Sequence, residues 1–328
     1  MEKVSVIIPN FNAQKFLREC IDSVLKQSYK NVEIIIIDDG STDDSWNIIL
    51  EYVNRYKNIM AKRQPNMNAS VARNIGIEMA TGTYCYFLDS DDIIEPEALS
   101  IMVDAMEKQL VDLVIGNYRM LDDDSNLLDN CKITLKNEYV NDPIKLVGVV
   151  PNPSTKLYKT KVIRENQVYF GNVRIGQDLN FFLKYLLCTK NVFLLNEYIY
   201  QWRQVKTSMT NTYSFNILDI TNTFKDVRKF YLKKSKKDVY DKYLTMIEYR
   251  HNYLQMEKQK YFLERKERKM ILNYFSLHMS NLDVKSCLNF DEYKNDYFKC
   301  RIKLIFRYIY ISKLYYFLDK KYCRKKRL

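Results

Sequence analysis

Carboxylates in two places set the chemistry this chain can do. Asp38-Asp39 follows the apolar run at residues 32–37, and Asp89-Ser90-Asp91-Asp92 follows the run at 84–88. Both runs read as short, buried parallel strands. Open α/β sheets bind ligands in the crevice beyond the carboxyl ends of their strands, so acids placed just after two strands converge on one cleft. Gathered there they repel one another unless a cation, or a donor such as a base N–H, offsets their charge. The layout points to a metal–nucleotide site.

The elements that must position these acids are legible as alternating short apolar runs and longer periodic segments from residue 4 to about 120, the signature of βαβ units around a parallel sheet. Residues 4–8 predict strand one. Residues 13–27 predict a helix capped by Asn12, with Phe16, Leu17, Ile21, Val24 and Leu25 facing inward. Residues 34–37 are all isoleucine, as in a strand buried on both faces. A turn at 38–43 follows, with Thr42 or Asp43 capping a helix to about residue 56. A weaker strand at 59–62 leads into a helix over 68–80 that ends at Gly82 as a left-handed cap. After the strand at 84–88, Pro96 opens a helix to about residue 108, and 112–118 is a further strand. Pro9-Asn10-Phe11-Asn12 stands where a dinucleotide fold carries G-x-G-x-x-G, which argues against that site. Residues 122–206 are mixed and loop-rich, punctuated by Pro143, Pro151 and Pro153. Beyond Tyr213 the pattern turns helical and rich in Tyr, Phe and Lys.

Composition narrows the setting. Seven scattered cysteines without a C-x-x-C pair argue against a disulfide framework or a structural zinc, and a reducing cytoplasm fits them. The N-terminus reads as a first strand and not a secretory leader. No uncharged run approaches the ~20 residues that span a bilayer. The net charge of +12 is local: residues 299–328 hold eleven Lys/Arg against Asp319 alone, +10, and leave +2 for the rest. Such asymmetry marks a basic tail for an anionic partner.

In order and spacing the motifs resemble the family 2 glycosyltransferases, inverting enzymes of the GT-A fold, especially bacterial capsule and exopolysaccharide members. The resemblance covers about residues 3–210. It rests on Val4-Ser5-Val6-Ile7-Ile8-Pro9-Asn10-Phe11-Asn12, the 38–43 turn, Ala72-Arg73-Asn74-Ile75-Gly76, Phe87-Leu88-Asp89-Ser90-Asp91-Asp92, and a fainter Gly176-Gln177-Asp178 and Trp202-Arg203. It implies an α/β, Rossmann-like GT-A nucleotide-sugar-binding fold with a mainly parallel central sheet and a C-terminal helical extension. The implied catalytic domain is 1–210, with 1–120 binding the nucleotide sugar and 121–210 the acceptor. A helical region at 211–298 and the basic amphipathic tail at 299–328 complete the chain.

The resemblance also assigns roles. Donor contacts fall to Pro9, Phe11, Asp38, Asp39, Arg73, Asp89 and Asp91, with Phe11 packing on uracil, Asp39 accepting its N–H and Arg73 binding the diphosphate. Asp89-Ser90-Asp91 matches the D-x-D element that holds Mn²⁺ or Mg²⁺, with Asp91 the first choice for metal contact and Asp92 the next. Asp178 matches the base that deprotonates the acceptor hydroxyl, although Gln177 stands where an acid is usual. Lys156, Trp202 and Arg203 occupy positions of phosphate- or acceptor-facing groups. Plainer readings stand beside these: a core aromatic at Phe11, a solvated turn at Asp38 and Asp39, a surface ion pair of Arg73 with Glu78, and a helix-start acid at Asp178.

In the tail, Ile302, Ile305, Phe306, Ile309, Tyr316 and Phe317 share an arc of a helical wheel, with Lys303, Arg307 and Lys321 off it. This suits a helix lying in an anionic leaflet, and a core-packed terminal helix is the other reading. No nucleic-acid motif accompanies the charge. The expectation is a metal-dependent, inverting transferase, peripheral at the cytoplasmic face of the membrane. It moves a hexose or N-acetylhexosamine, with galactose or N-acetylglucosamine first, from a UDP-sugar to a lipid-linked oligosaccharide in capsular or exopolysaccharide synthesis. A second copy or another glycosyltransferase is a candidate partner. The competing expectation is a non-catalytic nucleotide-binding or scaffold subunit, with Gln177 as its hint.

Overall fold

Isoleucine- and valine-rich runs become strands buried on both faces: β1 (Val4–Asn10) and β2 (Val32–Asp38) are buried at every position. The computed structural model describes residues 1–130, 135–143, 146, 149–204 and 218–234, together with 241–242, 244–248, 251–252, 270 and 274. Contacts divide the chain into two units, Met1–Thr212 and Tyr213–Leu328.

In the first unit β1 pairs in parallel with β2 and with β4 (Tyr84–Phe87), and β2 pairs in parallel with β3 (Ile59–Arg63). The register sets Asn10 against Asp38, so the carboxyl ends of β1 and β2 finish level. Beyond β4 the sheet turns mixed. Here β9 (Lys156–Lys159) runs antiparallel between β4 and β6 (Leu113–Leu121), and β6 pairs in parallel with β10 (Val192–Arg203). The order is β3-β2-β1-β4-β9-β6-β10-β5, where β5 is the pair Ile93–Ile94; β7 (Leu127–Asn130) joins β6 and β8 (Glu138–Val140) joins β10.

Helices α1 (Leu17–Leu25), α2 (Ser45–Arg55), α3 (Ala69–Met79) and α4 (Ala98–Gln109) connect the first strands, with α5 (Thr160–Asn166) and α6 (Gln177–Cys188) after β9. The apolar face of α1, at Leu17, Cys20, Ile21 and Val24, is buried. Against the sequence expectation, α1 begins at Leu17 and Asn12 does not cap it. Asn12 adopts a left-handed φ of 50°, and its Oδ1 accepts the Thr42 N–H at 2.8 Å. Pro96 lies just before α4 and not in its first turn. Gly82 is no left-handed cap either, since α3 ends at Ala80 with extended backbone. A Cβ on Gly82 would lie 2.6 Å from the Ser5 Oγ and 2.7 Å from the Lys3 carbonyl, so glycine there permits a close chain approach.

In the second unit α7 (Ile220–Leu232) buries Ile220, Phe224 and Val227. The tail at 299–328 and His278 lie outside the described residues. Among the described residues, no helix is long and apolar enough to cross a membrane.

Candidate active site

At the carboxyl end of β2, Asp38 is fully buried. Its oxygens accept from the Asn10 Nδ2 at 2.8 Å, the Ser41 Oγ at 2.5 Å and the Ser41 N–H at 3.2 Å, and Arg63 pairs with it at 3.1 Å. That network consumes the carboxylate, so Asp38 shapes the turn and does not reach a donor directly, a correction to its expected role. Asp39 accepts the Gln64 Nε2 at 2.6 Å and the Met67 and Asn68 N–H groups at 2.8 Å each. It thereby fixes the loop that starts α3. Of about four lone-pair positions on a carboxylate, three are taken and roughly one is left for a ligand N–H. Pro9 is buried in β1, whereas Phe11, just beyond the strand, is 48% exposed, so the core-aromatic reading fails.

Helix α3 is aimed into the cleft by its own sequence. Asn68 caps it, its Oδ1 accepting the N–H groups of Ser70 and Val71. A Cβ on Gly76 would lie 2.3 Å from the Ile7 Cγ2, so only glycine lets the helix press this closely on β1. One turn earlier, Arg73 is carried in with its side chain 6% exposed. Its Nη2 donates to the Asp89 Oδ1 at 2.6 Å, and Nη1 lies 3.5 Å from the Asp178 Oδ1. Glu78 accepts instead from the Tyr169 hydroxyl, which removes the surface-pair reading of Arg73. Among the described residues the Arg73 Nε has no hydrogen-bond partner.

Asp178 stands in the first turn of α6, behind Gly176 in the left-handed region at φ 77°. Desolvation raises it above its ordinary value although its side chain stays 37% exposed; Arg73 and Lys156 oppose this and the Asp89 charge adds to it. Gln177 supplies no charge, its Nε2 donating to the Val173 carbonyl at 3.0 Å. The like charge that an adjacent acid would have provided in sequence comes instead from Asp89 through space.

The acids after β4 have diverged. Asp89 is paired with Arg73. Asp91 is pushed up to about 6, first by burial and then by the Asp89 charge. Asp92 is 2% exposed; the Tyr200 hydroxyl donates to it, and its Oδ1 accepts the Arg203 N–H at 2.6 Å. Burial, with Asp91 and Asp89 nearby, holds Asp92 far above the carboxylate range, which suits an internal acid better than a metal ligand. Among the described residues no group of three or more acids, histidines or cysteines could hold an ion unaided. Asp91, whose carboxylate meets its own backbone N–H, still fits an ion such as Mg²⁺, which takes its remaining oxygens from phosphates and water.

Three expected ligand contacts are corrected. Lys156 is fully buried: its Nζ donates to the carbonyls of Val150 and Asn152 and to the Thr155 Oγ1 at 2.6–2.9 Å, and it sits 4.6 Å from the centre of the Phe182 ring. Burial lowers it to about 7. Arg203, its side chain 1% exposed, donates to the Asp91 carbonyl, the Ser125 Oγ and Glu19, and stacks on Phe16. Trp202 packs against the core, edge-on to Tyr118. Lys156 and Arg203 spend their polar groups on the protein, whereas Trp202 stays partly exposed. Sequence reading assigned no such role to Asn10, Glu19 or Tyr200, which hold these acids and Arg203; Asn10 carried a signal in the string after strand one, and Tyr200 in the alternation of Tyr198, Tyr200 and Trp202.

The model described as "Glycosyl transferase family 2" matches residues 5–167. Over 224 residues the chain is 31% identical to glycosyltransferase GlyG of Streptococcus pneumoniae serotype 4, covering 64% of this chain and 74% of that relative. Identity to glycosyltransferase GlyA of the same organism is 30% over 227 residues, 65% of this chain but 32% of that relative, so the match spans about a third of its length. The poly(ribitol-phosphate) β-N-acetylglucosaminyltransferase TarP of Staphylococcus aureus is 31% identical over 61% of this chain and 62% of its own. Among solved structures, S. aureus TarS 1–349 in complex with UDP-GlcNAc superposes with a TM-score of 0.70 at 21% identity, covering 85% of this chain and 81% of that one.

Proposed function

The chain belongs to glycosyl transferase family 2 and has the GT-A fold, and from that premise we propose a metal-dependent, inverting glycosyltransferase with Asp178 as its base. The observation that carries this reading is the Asp89–Arg73–Asp178 bridge, which sets a candidate base and a candidate donor-side acid on the two ends of one guanidinium. The acceptor hydroxyl oxygen attacks the anomeric carbon as its proton passes to Asp178, and the bond to the diphosphate breaks on the opposite side. A carboxylate so placed supplies roughly 10²–10⁴-fold in rate. Arg73 has the donor geometry to meet diphosphate oxygens. Asp91 would hold Mn²⁺ or Mg²⁺, which when bound offsets the charge growing on the departing UDP.

Exposed Phe11 and the remaining acceptor position on Asp39 support a uracil nucleotide. The TarP name and the UDP-GlcNAc complex of TarS make N-acetylglucosamine the first sugar to test, with galactose next. The acceptor we propose, a lipid-linked oligosaccharide at the cytoplasmic face of the membrane in capsular or exopolysaccharide synthesis, is the one the motif resemblance implies. The +10 charge of residues 299–328 supports a peripheral hold on anionic lipid there. The test is UDP release by the full chain with UDP-N-acetylglucosamine, UDP-galactose and UDP-glucose plus Mn²⁺ and a membrane-lipid extract. Release from a UDP-sugar that EDTA and Asp91→Ala abolish is expected. Strict preference for a GDP- or dTDP-sugar, or indifference to EDTA, would refute it.

A further inference from the structure

Asn74 follows Arg73 in the motif on α3, and nothing in the mechanism above uses it. Its side chain grips one residue of the loop before α6 from both sides. Nδ2 donates to the Phe170 carbonyl at 3.0 Å, and Oδ1 accepts the Phe170 N–H at 2.9 Å. A carboxamide offers a donor and an acceptor side by side whatever the pH, matching the N–H and C=O of a single residue. Aspartate would set an oxygen against the carbonyl, and alanine would make neither bond.

Phe170, held in this way, packs against both Arg73 of α3 and Phe181 of α6. Its ring stacks on Phe181 of α6, with centroids 4.1 Å apart and planes 5° from parallel, and is edge-on to Phe87 of β4 at 5.2 Å. The Arg73 guanidinium carbon lies 5.2 Å from the ring centre. From the far side α6 fastens the same loop to itself: the Gly171 N–H donates to the Asn180 Oδ1 at 2.9 Å, and Gln177 holds Val173. A Cβ on Gly171 would lie 2.7 Å from that Oδ1, so the loop runs tight against the helix that carries Asp178. Two other α3-side groups reach this loop, Asn68 and Glu78, and both touch side chains only, those of Asn172 and Tyr169. Asn74 is the group that seizes the main chain.

We propose that Asn74 is a positioning residue for Asp178: through Phe170 it locks the loop and start of α6 against α3, and so fixes the spacing of Asp178 from Arg73. The inference rests on the reading of Asp178 as base. Misplacing a reacting group by about 1 Å can cost on the order of 10²-fold in rate, so the device acts on turnover and not on donor affinity.

The experiment is a double-mutant cycle of Asn74→Ala and Asp178→Asn in the full chain. It reads kcat and KM from UDP release with UDP-N-acetylglucosamine and Mn²⁺, with UDP binding and thermal melting measured in parallel. Asn74→Ala is expected to lower kcat about 10-fold or more, with KM and UDP affinity within about twofold of wild type, and to cost nothing further in the Asp178→Asn background. Asn74→Asp, which keeps the volume and one of the two bonds, is the second variant should alanine not melt cooperatively. Wild-type kcat in a folded Asn74 variant would overturn the proposal. So would an equal loss in both backgrounds, or a loss of UDP affinity that accounts for the rate. Failure of both variants to fold would also overturn it, marking Asn74 as a stability residue. Full activity in Asp178→Asn alone would strike the base reading instead, which separates the two failures.

Discussion

Asp178 accepts a proton only while it is ionised, and its surroundings decide over what pH that holds. Desolvation and the Asp89 charge raise it, so it is protonated at a pH where an exposed aspartate is still charged. Its activity is lost as pH falls through that raised value. With Asp178 as the proposed base, the acidic limb of the kcat/KM profile, which reports the free enzyme, is expected above the ordinary aspartate titration near 4, and a limb at or below that value would contradict the raised position of Asp178. The order of the motifs marked Asp178 and Arg73 separately, and their approach to 3.5 Å is visible only in the fold. Lys156 and Arg203 were misread for a physical reason. A cation's partners here are largely backbone carbonyls and a distant Glu19, and no side-chain pattern near Lys156 or Arg203 announces them.

At the scale of elements, periodicity gave the helices and buried strands that carry the site, because a 3.6 or 2.0 repeat is a local property. What it did not give were contacts made by chain far away. The two-residue β5 and the antiparallel β9 exist through pairing with β10 and with β4 and β6, partners well separated in sequence. Gly82 shows the same limit: it read as a helix cap, yet its need for glycine comes from Lys3 and Ser5 across the start of β1. Gly82→Ala should accordingly destabilise the fold by about 1–3 kcal/mol, because backbone must shift to admit the methyl group. UDP affinity should stay unchanged, since this contact sits at the opposite end of β1 from Asn10. Unaltered denaturant stability in Gly82→Ala would contradict the close approach.

For the whole molecule, charge is the property that separates one end from the rest. Residues 299–328 carry +10 of the total +12. Each Lys or Arg near an anionic leaflet contributes about 1 kcal/mol, and salt screens it. The full chain should co-sediment with phosphatidylglycerol vesicles and be released by high salt, and deletion of 299–328 should remove most of that binding while sparing UDP release from the donor with a soluble acceptor. Equal binding to neutral phosphatidylcholine vesicles would contradict an electrostatic hold. At the same scale stands the proposed reaction, transfer of a sugar from a UDP donor with Asp178 as base. Its most direct test is UDP release by the purified full chain and its Asp178→Asn variant side by side, with a UDP-sugar the chain turns over, Mn²⁺ and a membrane-lipid extract. The expected result is turnover in the wild type, a fall of roughly 10²–10⁴-fold in the variant, and equal UDP affinity in both. Undiminished turnover in Asp178→Asn would contradict the account.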